Sequence, residues 1–165
     1  MFTSTKSAAT TKPALYQELN KALAAMLTGE RDWLANTANT ASLLALELPD
    51  LNWVGFYFRR GDELVLGPFQ GKPACVRIAV APVARGVCGA AAAAGKTMVV
   101  KDVHDFPGHI ACDSASNSEI VVPLIVNGTV IGVLDLDSPL IARFDEEDRL
   151  GLETLVATLM AATDF

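Results

Sequence analysis

Basic residues are scarce in this sequence: 13 Lys plus Arg stand against 19 Asp plus Glu, a formal net charge of −6. That balance argues against a nucleic-acid or anionic-membrane surface, since both need clustered Lys and Arg. No apolar run approaches the ~20 residues that a spanning helix requires. Met1 to Lys12 is rich in Thr, Ser and Ala and lacks the apolar h-region of a secretory signal. Cysteine is sparse as well. Cys75, Cys88 and Cys112 are too few, and odd in number, for a secreted disulfide framework. These absences lead to the expectation of a soluble, cytoplasmic protein in which thiols are either small buried hydrophobes or working groups.

What the chain does have is apolar material: 51% of its 165 residues are hydrophobic, which excludes intrinsic disorder. A chain of this size buries roughly 68–70% of its unfolded surface as one core. The reading is a flexible tail over 1–12 and a single domain over 13–165. From Pro13, the residues Leu15, Leu19, Leu23, Met26 and Leu27 recur at helical spacing, with Gly29 as a closing C′ residue. A second helix runs through Trp33, Leu34, Leu43, Leu44 and Leu46 and stops at Pro49. Its middle, rich in Ala, Asn and Thr, suits a close-packed neighbour.

The texture then changes to period two. Trp53, Gly55 and Tyr57 fall on one side of a strand and Val54, Phe56 and Phe58 on the other. Gly61-Asp62 turns the chain into a partner strand over Glu63 to Leu66, and Cys75 to Val80 predicts a third. Val87 to Ala94 is a short helix of small residues, and Thr97 to Val100 a strand. Lys101 to Asn117 is long and irregular, and holds both histidines and Cys112. Long loops within compact domains often carry function. Asn127-Gly128 then joins Glu119–Val126 to Thr129–Asp137 in the strongest hairpin signal of the chain. A helix opened by Asp145-Glu146-Glu147-Asp148 closes the sequence. The class predicted is α+β, with a mostly antiparallel central sheet flanked by N-terminal helices and a C-terminal helix.

Thr129, Ile131, Val133, Asp135 and Asp137 share one strand face if the alternation is strict, so two carboxylates converge at its end. Such a pair is either solvated or suited to a cationic group such as an amino acid's ammonium. A strict two-residue hairpin sets Glu119 opposite Leu136, on the other face; one bulge reverses that, and Pro123 marks a place for it. The expectation is a register irregularity near Pro123 that brings Glu119 to Asp135 and Asp137. In F-P-G-H-I-A-C-D, the Pro-Gly turn and the run of small or unbranched positions let backbone N–H groups converge on an anion near Cys112. His104, His109 and Cys112 match no strong zinc spacing, so no metal is expected there. Cys88, at a helix N-terminus beside Arg85, is the thiol that simple electrostatics would activate. Trp53 and Tyr57 are core, or else the wall of a pocket for a small apolar or sulfur-bearing group.

Taken together, N-W-V-G-F-Y-F, G-P-F-Q-G-K-P-A-C, G-V-C-G, D-V-H-D-F-P-G-H-I-A-C-D-S-A-S-N-S-E-I-V-V-P and G-V-L-D-L-D-S resemble the free methionine-(R)-sulfoxide reductases, single-domain enzymes of the GAF fold. The resemblance implies reduction of the R epimer of free methionine sulfoxide, in the cytoplasm, with electrons from thioredoxin or a similar dithiol protein and no metal, flavin or nucleotide cofactor. By motif, Cys112 looks like the attacking cysteine, displacing Cys88 from that role. Cys75 and Cys88 look like the resolving candidates, with Cys75 ahead; Ala79 to Ala84, with Pro82, is longer than the family's usual link between them. Glu119 resembles the acid that protonates the sulfoxide oxygen. Asp135 and Asp137 resemble the groups that hold the substrate ammonium and support that acid. Ile110 and Ala111 count as substrate-binding positions, and Trp53 and Tyr57 as the wall around the methyl group. A GAF-type module that senses a small ligand without catalysis is the competing reading. By analogy alone, the fold allows a homodimer through the terminal helices.

Overall fold

The structure, a computed structural model, describes residues 9–108 and 114–165. Helix α1 (Lys12–Met26) and α2 (Trp33–Glu47) precede strands β1 (Trp53–Arg60), β2 (Glu63–Gly71) and β3 (Arg77–Ala79). Helix α3 (Gly86–Ala94), β4 (Met98–Val100) and a single 3-10 turn (Val103–Asp105) follow, then β5 (Ser118–Val126), β6 (Thr129–Ser138) and α4 (Glu146–Ala162). The six strands lie in the order β3-β2-β1-β6-β5-β4, and every neighbouring pair is antiparallel. None of the described helices is long and apolar enough to cross a membrane.

The period-two pattern of β1 divides the core. Val54, Phe56 and Phe58 face a cluster built from α1, α2 and α4, with Leu23, Leu44, Leu152 and Leu155 fully buried in it. Trp53 and Tyr57 face the opposite cluster, which α3 covers with Val87, Cys88, Ala91 and Ala92. The alanines let α3 lie close to the sheet. The polar middle of α2 is buried against the sheet, as expected of a close-packed neighbour: Asn36, Thr37, Thr40 and Ala41 are all inside. Thr37 and Thr40 hydroxyls donate to the carbonyls of Trp33 and Asn36, four residues back, and Asn36 Nδ2 donates to Thr163 Oγ1 at 3.0 Å.

Three boundaries differ from expectation. Helix α1 ends at Met26 with Leu27 as its C-cap, so Gly29 (φ +81°) sits beyond the cap in the following turn. Strand β3 is only Arg77–Ala79 rather than Cys75 to Val80. Strand β2 runs on to Gly71, past the apparent breaker Gly67-Pro68: Gly55 pairs with Phe69 but Tyr57 with Leu66, so one extra β2 residue bulges there. Proline is tolerated at such a bulge because the ladder does not need its missing N–H. The long link after β3 is closed at its base by Arg85 N–H donating to Ala79 O at 3.0 Å, so its extra residues project outward, Val83 being 68% exposed.

At the start of α4, Asp145 accepts from Glu147 N and Asp148 N, while the Asp148 side chain accepts from Asp145 N, a reciprocal capping box. Asp148 is wholly buried. Tyr16 Oη donates to it at 2.8 Å, Lys12 Nζ at 2.5 Å and Arg143 Nη1 at 2.9 Å. This knot joins α1 to α4. Gly151 permits it, since a Cβ there would meet the Tyr16 ring.

Candidate active site

The β5–β6 hairpin carries the irregularity expected near Pro123. Val126 pairs with Thr129 and Ile125 with Val130, but Leu124 pairs with Gly132, so Ile131 is the extra residue. The bulge lies on β6 rather than on the proline strand. From there the register brings Val121 opposite Asp135, Ile120 opposite Leu136 and Glu119 opposite Asp137. Glu119, Asp135 and Asp137 therefore occupy the α3 side of the sheet together. One consequence corrects the strict alternation read along β6: Ile131 packs with the helix-side cluster, and Val130 with Val133 on the α3 side.

On the other flank of β6, Trp53 pairs with Asp137 and Gly55 with Asp135. Directly opposed side chains lie about 4.5–5.5 Å apart at Cβ, so Trp53, Asp137 and Glu119 form one row across three strands. Trp53 and Tyr57 are buried and stacked, centroids 5.9 Å apart, and Phe69 stacks on Trp53 at 5.4 Å. Each such pair contributes about 0.5–1.5 kcal/mol beyond area burial. Gly55 makes room for the stack: a Cβ there would come within 2.6 Å of the Trp53 ring and collide with Phe69. Trp53 Nε1 donates to Lys72 O at 3.1 Å, and Tyr57 Oη to Cys75 O at 3.1 Å. The second bond ties the aromatic wall to a cysteine. Phe69 escaped the sequence reading because the strand predicted there ends at Leu66, whereas β2 continues through the bulge to Gly71; its signal was the G-P-F-Q-G motif.

Helix α3 delivers the remaining member. Cys88, its third residue, is buried with Sγ 3.8 Å from Glu119 Oε1. The ligand atoms of Cys88, Glu119 and Asp135 all lie within 4.8 Å of one another. Burial, then the charges of Asp135 and Glu119, push the Cys88 thiol well up. This corrects the expectation that the helix terminus and Arg85 activate it: Arg85, the N-cap residue, is exposed, whereas three acids act on the buried sulfur. Burial, followed by the charges of Asp135 and Asp137, likewise pushes Glu119 well above the carboxylate range. Burial raises Asp135 to about 7, against hydrogen bonds from Cys88 and Glu119 that pull it down. Burial, then Asp135, also holds the Tyr57 phenol up. Among the described residues, Asp135 Oδ1 is buried without a hydrogen-bond partner.

Cys75 is half-buried and disulfide-bonded, and Cys88 is a free thiol. His104 is exposed, its Nε2 3.1 Å from Asn117 Oδ1. His109, Ile110, Ala111 and Cys112 lie outside the described residues. The arrangement as a whole is a buried aromatic wall beside clustered acids whose ionisation burial disfavours, with a disulfide-bonded cysteine attached to the wall. Such a site can hold an apolar group, bind a cation and donate a proton.

An antiparallel six-stranded sheet with terminal helices on one face and the site under a small helix on the other defines a GAF domain. The GAF domain family model matches residues 33–164. Free methionine-R-sulfoxide reductase of Escherichia coli is 54% identical over 157 residues, covering 93% of each chain. The structure of free methionine-R-sulfoxide reductase from Neisseria meningitidis in complex with its substrate superposes with a TM-score of 0.91 at 49% identity, covering 98% of this chain and 95% of that one. The reduced form of the Staphylococcus aureus protein gives 0.86 at 43%, covering 97% and 99%. The chain belongs to the GAF domain family and, within it, to the free methionine-R-sulfoxide reductases.

Proposed function

We propose that this protein reduces free L-methionine-(R)-sulfoxide to L-methionine with cysteine thiols as reductant. The observation that carries the reading is the buried acid cluster: Glu119 set across from Asp137 and beside Asp135, under an aromatic wall. A sulfoxide sulfur is electrophilic, but its oxygen leaves poorly unless protonated. Carboxyls that share one dry site cannot all ionise, so a proton stays available near neutrality. Glu119 donates it. Asp135, through Oδ1, and Asp137 take the substrate ammonium, while Trp53 and Tyr57 enclose the methyl group. Ile110 and Ala111 are assigned to substrate binding.

The Cys112 thiolate attacks the sulfur of the protonated sulfoxide, and the S–O bond breaks. The hydroxide passes to the Cys112 sulfur, and methionine departs with the electron pair of the transient S–S bond, leaving a cysteine sulfenic acid. The Cys75 thiol condenses with it, releasing water and forming a disulfide, which thioredoxin or a similar cytoplasmic dithiol returns to two thiols by exchange. The disulfide-bonded state of Cys75 and the free state of Cys88 support Cys75 as the resolving residue.

The test is NADPH consumption coupled through thioredoxin reductase and thioredoxin with the free R-sulfoxide. Cys112→Ser is expected to abolish turnover, whereas Cys75→Ala still releases about one methionine per site in a single turnover. A full steady-state rate in Cys112→Ser contradicts the assignment.

A further inference from the structure

One group in the site has no part in the proposed turnover: the free Cys88 thiol, buried against Glu119 and Asp135. Zinc bonds thiolate sulfur at about 2.3 Å and carboxylate oxygen at about 2.0–2.2 Å, so its sulfur and oxygen ligands sit roughly 3.5 Å from one another. Cys88 Sγ and Glu119 Oε1 are 3.8 Å apart, and Asp135 completes a triangle no wider than 4.8 Å. A contraction of at most about 1.3 Å along any side closes that triangle on an ion of this size. Beside this geometry, Asp135 Oδ1 is buried and has no hydrogen-bond partner among the described residues, so without substrate it is open to a metal cation. One thiolate with two carboxylates favours zinc or cobalt over magnesium or calcium, which take oxygen donors.

We propose that Cys88, Glu119 and Asp135 form a binding site for zinc, a divalent cation of borderline softness, and that the ion shuts the enzyme reversibly. Cys88 gives up its thiol proton to solvent and Glu119 its carboxyl proton as the ion enters. The acid that would protonate the departing oxygen is then a metal ligand, and the oxygen of Asp135 meant for a cationic group is occupied. Three protein ligands leave the ion a fourth position for water. The inhibition rests on the proposed reductase chemistry; the binding does not.

Cobalt(II), added anaerobically to the reduced full-length protein, reads the binding without substrate. One equivalent is expected to give a thiolate-to-cobalt charge-transfer band that one equivalent of zinc removes. The band should vanish in Cys88→Ser and persist in Cys75→Ser and Cys112→Ser. Zinc affinity, measured against a chromophoric chelator, should fall at least about 10-fold in Asp135→Asn. Should Cys88→Ser fail to fold, alkylation of Cys88 in the wild type, mapped by mass spectrometry, must be slowed by zinc. Absence of the band, its loss with Cys75 or Cys112 in place of Cys88, or unslowed alkylation each overturns the site. Zinc binding without an effect on sulfoxide reduction would overturn the inhibition and the role of Glu119 while leaving the site in place.

Discussion

The molecule buries acids in two places and treats them in opposite ways. At the start of α4, Asp148 is enclosed with Lys12, Arg143, the Tyr16 hydroxyl and the Asp145 N–H as donors to its two oxygens. At the end of the β5–β6 hairpin, Glu119 and Asp135 are enclosed with each other, with a thiol and with Asp137 nearby; burial raises both acids, and the charges of Asp135 and Asp137 raise Glu119 further. The first arrangement surrounds a carboxylate with donors and joins two helices. The second disfavours charge and keeps protons on carboxyls at neutral pH. A buried acid is therefore a structural or a chemical device according to what faces it.

Removing the structural acid breaks the comparison most strongly. Asp148→Ala leaves the Arg143 guanidinium, almost fully buried, without its carboxylate, and is expected to lower stability by about 3–5 kcal/mol in urea melts. Reductase activity per folded molecule should be unchanged, since the knot sits on the helix-side face. Activity lost in proportion to nothing but the mutation itself would mean that the two sites are coupled.

The chemical acid should behave in reverse. Burial raises Asp135 from its ordinary 3.8 to about 7, so the folded state holds its proton more tightly than the unfolded chain. Its cost to stability is absent below about pH 4, grows as pH rises and is complete above about 7. Asp135→Asn removes that cost. Relative to wild type, its Tm should rise by at least about 2 °C between pH 5 and pH 8, while turnover falls. A Tm difference that does not depend on pH contradicts the assigned protonation. The smallest effect is expected at Tyr57→Phe, which keeps the aromatic wall but loses the hydrogen bond to Cys75 O, at about 1 kcal/mol.

Much of this contrast was written in local sequence, and the rest in long-range pairing. Alternation in β1 showed which residues face each way, and Asn127-Gly128 with Pro123 told of a hairpin with a slipped register. Which strand would carry the slip was not readable, because a bulge is settled by packing on both faces, and Ile131 followed the helix-side core rather than its own parity. Cys88 was misjudged for a related reason. Its local setting, a helix terminus beside an arginine, promises a thiolate, but its neighbours Glu119 and Asp135 are 31 and 47 residues away and arrive only through the sheet. The acidic opening of α4 was legible as a cap; its salt bridges to Lys12, from the other end of the chain, were not.

The central claim is that a carboxyl kept protonated by burial supplies the hydrogen that lets the sulfoxide oxygen leave. Single-turnover methionine release as a function of pH, in wild type and Glu119→Gln, measures it most directly. Wild type should lose rate on the alkaline side as the acid ionises, and Glu119→Gln should be slower by about 10²–10⁴-fold with that alkaline limb gone. A Glu119→Gln protein that keeps both the wild-type rate and the limb would contradict the account.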